Sequence, residues 1–374
     1  MKICHVISGD LWAGAEVQAY TLLRGLKEHK GADVEAVVLN PGRLYDKLSE
    51  TEIPVHLVDE NRNGYGGIKR ILIGIFDQIK PDIVHTHRYK ENILGATAAK
   101  ECNISHLVQT VHGIHEALKG FKQLKMRFYM FLNIRLTRRH FSKIIAVSGD
   151  IENTLKLTYE AEKIVTIHNA IDFSSVRPSR DASHLRKEFS IPDNHRIIGT
   201  SGRLVPIKGF DILLAAVRII LKDHPATSIV IAGDGPLKSE LVDLSRDLGV
   251  FENVVFTGFR DDIYDIVNMF DIFVVSSFHE GIPMSVLEAM ALSKPIVSTN
   301  VGGMIEIIED GDSGLFADAR DSGALAAQCG RLLDDLSLLE RIGEGARERV
   351  SNEFSAEILT EKMFSLYQSV MARS

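Results

Sequence analysis

Cysteine is scarce: Cys4, Cys102 and Cys329 lie far apart and form no C-x-x-C spacing. That argues against a disulfide framework or a thiolate zinc site and fits a reducing compartment. No apolar run is long enough to span a bilayer. No signal-peptide pattern precedes the strand-like Ile3 to Ile7, so a cytoplasmic location is expected. Positive charge is in deficit, with 43 Lys and Arg against 50 Asp and Glu and a net charge of -7. This argues against nucleic acid as a general partner. The glycine-rich dinucleotide fingerprint is missing too. The loop after the first strand, Ser8 to Glu16, holds small residues but no G-x-G-x-x-G, which weighs against a dehydrogenase. Repeats and low-complexity tracts are absent.

What is present is alternation. Apolar runs at Ile3–Ile7, Val34–Leu39, Val55–Val58, Ile83–His85, Leu107–Thr110, Ile144–Val147 and Ile164–Ile167 are separated by helical patterns such as Val17–Glu28, Ile68–Ile79 and Asn92–Lys100. Strands of this kind, alternating with helices, predict parallel sheets covered on both faces, with ligands at the strands' carboxyl ends. The length of 374 residues favours two domains. A polar connection, Val176 to Pro192, separates the halves.

The most informative stretch is Phe270 to Gly303, which reads as strand, loop, helix, strand, loop. Pro283 stands where a helix would start, since its missing N–H costs nothing there. The helix is expected over Met284 to Leu292. Its N-terminus suits a phosphate, and Gly281 lets a ligand approach the backbone. Glu280 and Glu288 bracket that anion site, so hydroxyls of a sugar and a ribose are their natural partners. Upstream, Arg203 and Lys208 sit in a loop before another helix with no acid between them. A guanidinium fork and an ammonium together could hold a diphosphate without a metal. His112, between a strand and Gly113, lies at the ligand-facing edge of its sheet. His85 and His87 at a strand end show no third ligand nearby in sequence and read as structural histidines.

The context Glu280-Gly-Ile-Pro-Met-Ser-Val-Leu-Glu288, with Arg203 and Lys208 before it, closely resembles the signature of retaining GT-B glycosyltransferases of glycosyltransferase family 4. The resemblance extends over nearly the whole chain. Ala13-Gly14-Ala15-Glu16 is similar to the family's Gly-Gly-x-Glu loop with its first glycine replaced. His168-Asn169-Ala170-Ile171-Asp172 resembles its Asn-Gly-hydrophobic-Asp segment, with Ala170 in place of glycine.

The resemblance implies an α/β GT-B fold of two Rossmann-like domains facing each other across a cleft. Residues 1–180 would bind the acceptor, 181–354 the nucleotide-sugar, and 355–374 would form a helix crossing back to the first domain. It implies Glu280, His112, Arg203 and Lys208 as catalytic residues, with His112 against the transferred sugar. Gly14, Phe259, Arg260, Gly281, Ile282, Pro283, Met284, Ser285 and Glu288 would bind the donor. No cofactor and no metal are expected. Asp310-Gly311-Asp312 spells the D-x-D of metal-dependent glycosyltransferases but reads as a turn before Ser313 to Phe316. Gly302-Gly303 and Glu306 are expected to form another ligand-facing loop.

The implied activity is retaining transfer of a sugar from a nucleotide-sugar, a UDP-sugar by expectation, to a hydroxyl of a glycan or lipid-linked acceptor in surface polysaccharide, lipopolysaccharide or glycolipid synthesis. Two other readings stay open: a nucleotide-sugar epimerase on the same fold, and a non-catalytic sugar-nucleotide or membrane-binding protein. The intact Glu280–Glu288 and Arg203–Lys208 sets argue against both. Lys119 to Lys143 carries eight basic residues and no acid, interleaved with apolar ones. It predicts an amphipathic helix that either contacts an anionic membrane peripherally, at ~1 kcal/mol per cation, or buries its apolar face in the domain.

Overall fold

The computed structural model describes residues 1–10, 12–113 and 121–372. The chain forms two units: Met1–Ala170 with Ala356–Ser374, and Ile171–Ser355. In the first, strands β1 (Lys2–Ile7), β2 (Asp33–Val38), β3 (Val55–Leu57), β4 (Ile83–Thr86), β5 (His106–Val111), β6 (Phe141–Ala146) and β7 (Ile164–Thr166) form one sheet in the order β3-β2-β1-β4-β5-β6-β7. All pairs are parallel. Helices α1 (Gly14–Lys30), α2 (Arg43–Ser49), α3 (Tyr65–Ile79), α4 (Tyr89–Glu101), α5 (Phe121–His140) and α6 (Gly149–Lys156) lie between them in sequence. The strands are apolar on both faces because helices cover both. Ser148 caps α6 as its hydroxyl accepts from the Ile151 N–H at 3.3 Å.

The second unit repeats the plan. Strands β8 (Arg196–Ser201), β9 (Thr227–Ala232), β10 (Val254–Gly258), β11 (Ile272–Val275), β12 (Ile296–Thr299) and β13 (Leu315–Ala317) are ordered β10-β9-β8-β11-β12-β13. Its helices are α7 (Ala182–Glu188), α8 (Phe210–Asp223), α9 (Lys238–Asp247), α10 (Ile263–Asn268), α11 (Met284–Ala291), α12 (Met304–Ile307), α13 (Ser322–Asp334) and α14 (Leu336–Glu353). In both sheets the strand order reverses at one place, between β1 and β4 and between β8 and β11. Crossovers leave in opposite directions there and open a crevice at the carboxyl ends.

The chain passes from one unit to the other between Ala170 and Ile171. Residues 171–180 go with the second unit because Ile171 N–H donates to Phe354 O at 2.8 Å and Arg180 N–H to Asp265 Oδ1 at 3.0 Å. The chain then returns: α15 (Ala356–Met371) belongs to the first unit. Leu359, Met363, Leu366, Tyr367 and Val370 join a core with Ile3, Ile7, Leu22, Leu23 and Leu26.

Helix α5 forms, but not with the two faces its sequence suggests. Phe128 and Phe131 are 64% and 62% exposed, while Asn133 and Thr137 are buried. Polar partners explain this: Asn133 Oδ1 accepts from Asn92 Nδ2 at 3.0 Å, and Thr137 Oγ1 accepts from Gln109 Nε2 at 3.4 Å. Lys119 lies outside the described residues.

Helices α1 and α15 pack closely where Gly25 meets Thr360, since a Cβ on Gly25 would lie 2.0 Å from Thr360 Oγ1. Gly25→Ala in an open helix interior would gain about 1 kcal/mol. Here overpacking is expected to outweigh that gain and destabilise by about 1–3 kcal/mol. Thermal unfolding followed by circular dichroism should show a lower midpoint for Gly25→Ala, partly recovered by adding Thr360→Ala. A higher midpoint for the single variant would contradict this packing.

Candidate functional site

In the second unit, the crevice between β8 and β11 is framed by two loops, Gly202 to Gly209 and Ser276 to Pro283. They are fastened to each other. Ser276 Oγ donates to Lys208 O at 2.9 Å, and Phe278 N–H donates to Ile207 O at 2.8 Å. Gly209, at φ +60°, sits where a Cβ would lie 2.2 Å from Ser276 O, so only glycine lets the loops meet this closely. Lys208 Nζ donates to Glu280 Oε1 at 2.6 Å, and Ser277 Oγ donates to the same oxygen at 2.5 Å. Glu280 is nearly buried. The ammonium therefore offsets the carboxylate that would otherwise repel an anion at the start of α11. Among the described residues, no ion pair engages Arg203, which is exposed in the same loop as Lys208.

Thr200, Ser201, Lys208, Ser277, Glu280, Pro283 and Ser285 line one small pocket. The Ser201 hydroxyl is buried there with no hydrogen-bond partner among the described residues. Pro283 is the N-cap of α11, and its φ of -75° and ψ of 131° turn the chain into the helix. Ile282 and Met284 are buried and anchor that turn. Glu288 lies on the second turn of α11. Burial pushes its carboxyl up to about 7, against a hydrogen bond from Tyr264 that pulls it down.

Three further stretches singled out in the sequence have the following surroundings. Gly302 and Gly303 pack on the Glu280 loop: a Cβ on Gly302 would lie 2.0 Å from Glu280 O, and Gly303 N–H donates to that oxygen at 2.9 Å. They buttress the Glu280 loop. Phe259 is 65% exposed. Arg260 donates to Asp262 at 2.7 Å and Glu188 at 2.6 Å and lies 5.5 Å from the Phe189 ring centre, so its guanidinium clamps the end of α7. Asp310 accepts from the Phe316 N–H at 2.9 Å and holds the turn before β13.

In the first unit, Gly14 opens α1 at the carboxyl end of β1. The loop is held by Arg88, which donates to Asp10 at 3.1 Å and to the fully buried Glu16 at 2.5 Å. His112 lies beyond β5, and its Nε2 is 3.0 Å from Nδ1 of His87. His87 in turn meets His5, whose place in β1 the sequence reading did not connect to it. His5, His85 and His87 each place a ring nitrogen within 4.8 Å of the others. Strand alternation puts His85 and His87 on one face, and β1 pairs with β4 in a register that sets His5 beside His85. Burial holds all four rings neutral: His5 and His112 are pushed down to about 3, His85 and His87 well below the usual range.

An open cavity of about 820 Å³ adjoins them. His87, Arg88, Asn92, Gln109, Thr110, His112 and Asn133 give it a polar wall, while Met126, Met130, Phe131, Ile134, Leu155 and Tyr159 give it an apolar one.

Residues 181–349 match the family described as Glycosyl transferases group 1, and residues 12–175 match Glycosyltransferase Family 4. The chain belongs to the group 1, family 4 glycosyltransferases. It is 28% identical to the capsular polysaccharide biosynthesis glycosyltransferase CapM of Staphylococcus aureus over 389 residues, which span 100% of this chain and 98% of that protein. It is 27% identical to an Escherichia coli enzyme named UDP-Gal:alpha-D-GlcNAc-diphosphoundecaprenol alpha-1,3-galactosyltransferase, over 98% of this chain and 96% of that protein. HepE of Anabaena, solved in complex with UDP, superposes with a TM-score of 0.84 at 23% identity, covering 99% of this chain and 100% of that one. The fold of this glycosyltransferase is GT-B.

The raised carboxyl of Glu288 has a signed consequence. The unfolded chain ionises it near 4.5 and the folded glycosyltransferase near 7. The folded state therefore binds the proton more tightly, and stability falls as pH rises through that window. Glu288→Gln should raise the melting midpoint relative to wild type at pH 8, with little difference at pH 4.5. A difference of the same size at both pH values would show that ionisation is not its cause.

Proposed function

We propose that the second unit holds the diphosphate of a UDP-sugar and that the first holds an acceptor hydroxyl, with retention at the anomeric carbon and no metal. The observation that carries this is the Lys208–Glu280 pair in the β8–β11 crevice, with Arg203 exposed in the same loop as Lys208. With Glu280 compensated by Lys208, Arg203 is left to meet the diphosphate as the glycosidic bond breaks. Charge then grows on the leaving diphosphate, and fixed cations and the N-terminus of α11 stabilise it there. Glu280 would keep its second carboxylate oxygen for the sugar's hydroxyls, and Glu288 would accept from the ribose. His112 would face the transferred sugar from the first unit. Backbone groups of Gly281 to Ser285 and of Phe259–Arg260 would read the phosphates and the base, and Gly14 would let the donor or acceptor approach the start of α1.

The half-polar, half-apolar cavity supports an acceptor in the first unit, which an epimerase would not use. The names of relatives in capsule and lipopolysaccharide synthesis support a surface glycan or glycolipid as that acceptor. HepE complexes with UDP and with UDP-glucose support the donor class. Exposed Phe128, Arg127 and Arg135 on α5 support contact with an anionic lipid surface.

The test is proton NMR of the purified protein with UDP-, GDP- and ADP-sugars and no acceptor. Slow release of UDP and free sugar from one UDP-sugar is expected, with water as a poor acceptor. Conversion to an isomeric nucleotide-sugar would establish an epimerase instead. In the same assay Arg203→Ala should lower turnover on the order of a hundredfold. Unchanged turnover would remove Arg203 from the mechanism.

A further inference from the structure

Behind His112 runs a continuous chain of buried side chains. His112 Nε2 lies 3.0 Å from His87 Nδ1, and His87 Nε2 lies 3.1 Å from His5 Nδ1. His5 Nε2 lies 3.3 Å from the Tyr367 hydroxyl, which is 2.6 Å from His85 Nδ1. His85 Nε2 lies 2.8 Å from Thr110 Oγ1. His5, His85 and Tyr367 are fully buried, with His87 and Thr110 nearly so. The one ring nitrogen left over is His112 Nδ1, which is buried and has no hydrogen-bond partner among the described residues. His112 and Thr110, the two ends, both line the cavity.

A neutral imidazole carries one N–H and one bare nitrogen, and a bond between two rings needs one of each. The choice at one ring therefore dictates the next. With the proton of His112 on Nδ1, its bare Nε2 accepts from His87 Nδ1–H, and the bare Nε2 of His87 accepts from His5 Nδ1–H. His5 Nε2 then accepts from the Tyr367 O–H, whose oxygen accepts from His85 Nδ1–H, and His85 Nε2 accepts from Thr110. Reversing every bond puts all four protons on Nε2. Any mixture leaves a fault: between two rings, a donor facing a donor or an acceptor facing an acceptor; at Tyr367, either a ring nitrogen without a donor or, when both rings donate to its oxygen, a buried O–H without an acceptor. Each such fault costs about 1–3 kcal/mol.

We propose that His5, His85, His87 and His112, joined through Tyr367, form one tautomeric unit whose output is His112 Nδ1, and that this atom meets a hydroxyl of the sugar or acceptor in the cavity. The identity of that hydroxyl rests on the function proposed above; the tautomeric coupling does not. A ligand that needs a donor and one that needs an acceptor are both satisfied, because the whole chain reverses without leaving a broken link. Tyr367, His5, His85 and His87 are positioning residues that act through His112. A metal held by His5, His85 and His87 fits this geometry less well. The His85 and His87 rings stack with planes 14° apart and centres 4.6 Å apart, so their in-plane lone pairs run side by side instead of converging. Their nitrogens are also already hydrogen-bonded, His5 and His87 to each other and the rest to His112, Tyr367 and Thr110.

The experiment is long-range proton–nitrogen NMR of the full chain labelled with ¹⁵N-histidine. The expected result at neutral pH is that all four histidines are neutral and carry the proton on the same ring nitrogen. Mixed tautomers or an imidazolium among them would overturn the proposal, as would added zinc bound by His5, His85 and His87. Tyr367→Phe cuts the chain, and a bare buried nitrogen is easier to leave unpaired than an N–H. His85 should then carry its proton on Nε2 while His5, His87 and His112 carry theirs on Nδ1. An unchanged spectrum would overturn the coupling. Thr110→Val at the far end should place all four on Nδ1, and any of the four found on Nε2 would overturn it. On a donor that wild type turns over, Tyr367→Phe should lower kcat on the order of tenfold with UDP affinity unchanged. Absence of any turnover in wild type would count against the proposed function and leave the tautomer result standing.

Discussion

Lys208 and Glu280 hold each other at 2.6 Å across the two strands where the sheet order reverses. The geometry of the second unit's site follows from that pair. An ammonium and a carboxylate this close and this little exposed must be well hydrogen-bonded to persist. Ser277 on the carboxylate and the glycine contacts behind both loops supply the support. Gly209 brings the lysine loop against Ser276, and Gly302 brings the following loop against Glu280. The charges are thus set by backbone packing and do not depend on long side chains finding each other.

The sequence carried what is local. Strand–helix alternation was legible because burial on both faces demands unbroken apolar strands. Arg203, Lys208, Glu280 and Glu288 were legible because each lies within a few residues of the turn that positions it. What escaped notice depends on pairing across long separations. His5 lies 82 residues from His87 and Tyr367 lies 282 from His85, and only the register of β1 with β4 and the return of α15 bring them together. The side-chain partner of Arg260 was hidden for the same reason: Glu188 lies 72 residues away. In α5 the apolar count was read as a face, but Asn133 and Thr137 found buried amide and hydroxyl partners and left Phe128 outside.

The two units use opposite electrostatics at equivalent places in the fold. The β8–β11 crevice gathers fixed charge beside a helix N-terminus. The β1–β4 crevice gathers neutral imidazoles, kept neutral by burial, with one salt-bridged arginine at its edge. The first arrangement suits a group that must leave with its electrons, the second a hydroxyl that must be oriented and not ionised.

The packing of α15 sets an order of events in the life of the polypeptide. Tyr367, Met363 and Leu366 complete a core whose other members include Ile3, Leu22 and Leu26. On the ribosome the first unit emerges first, yet its sheet stays uncovered on that flank until the intervening Ile171–Ser355 has been made and α15 has followed. The earliest part of the chain to be synthesised is thus the last to be closed, and until then its apolar strands are within reach of chaperones.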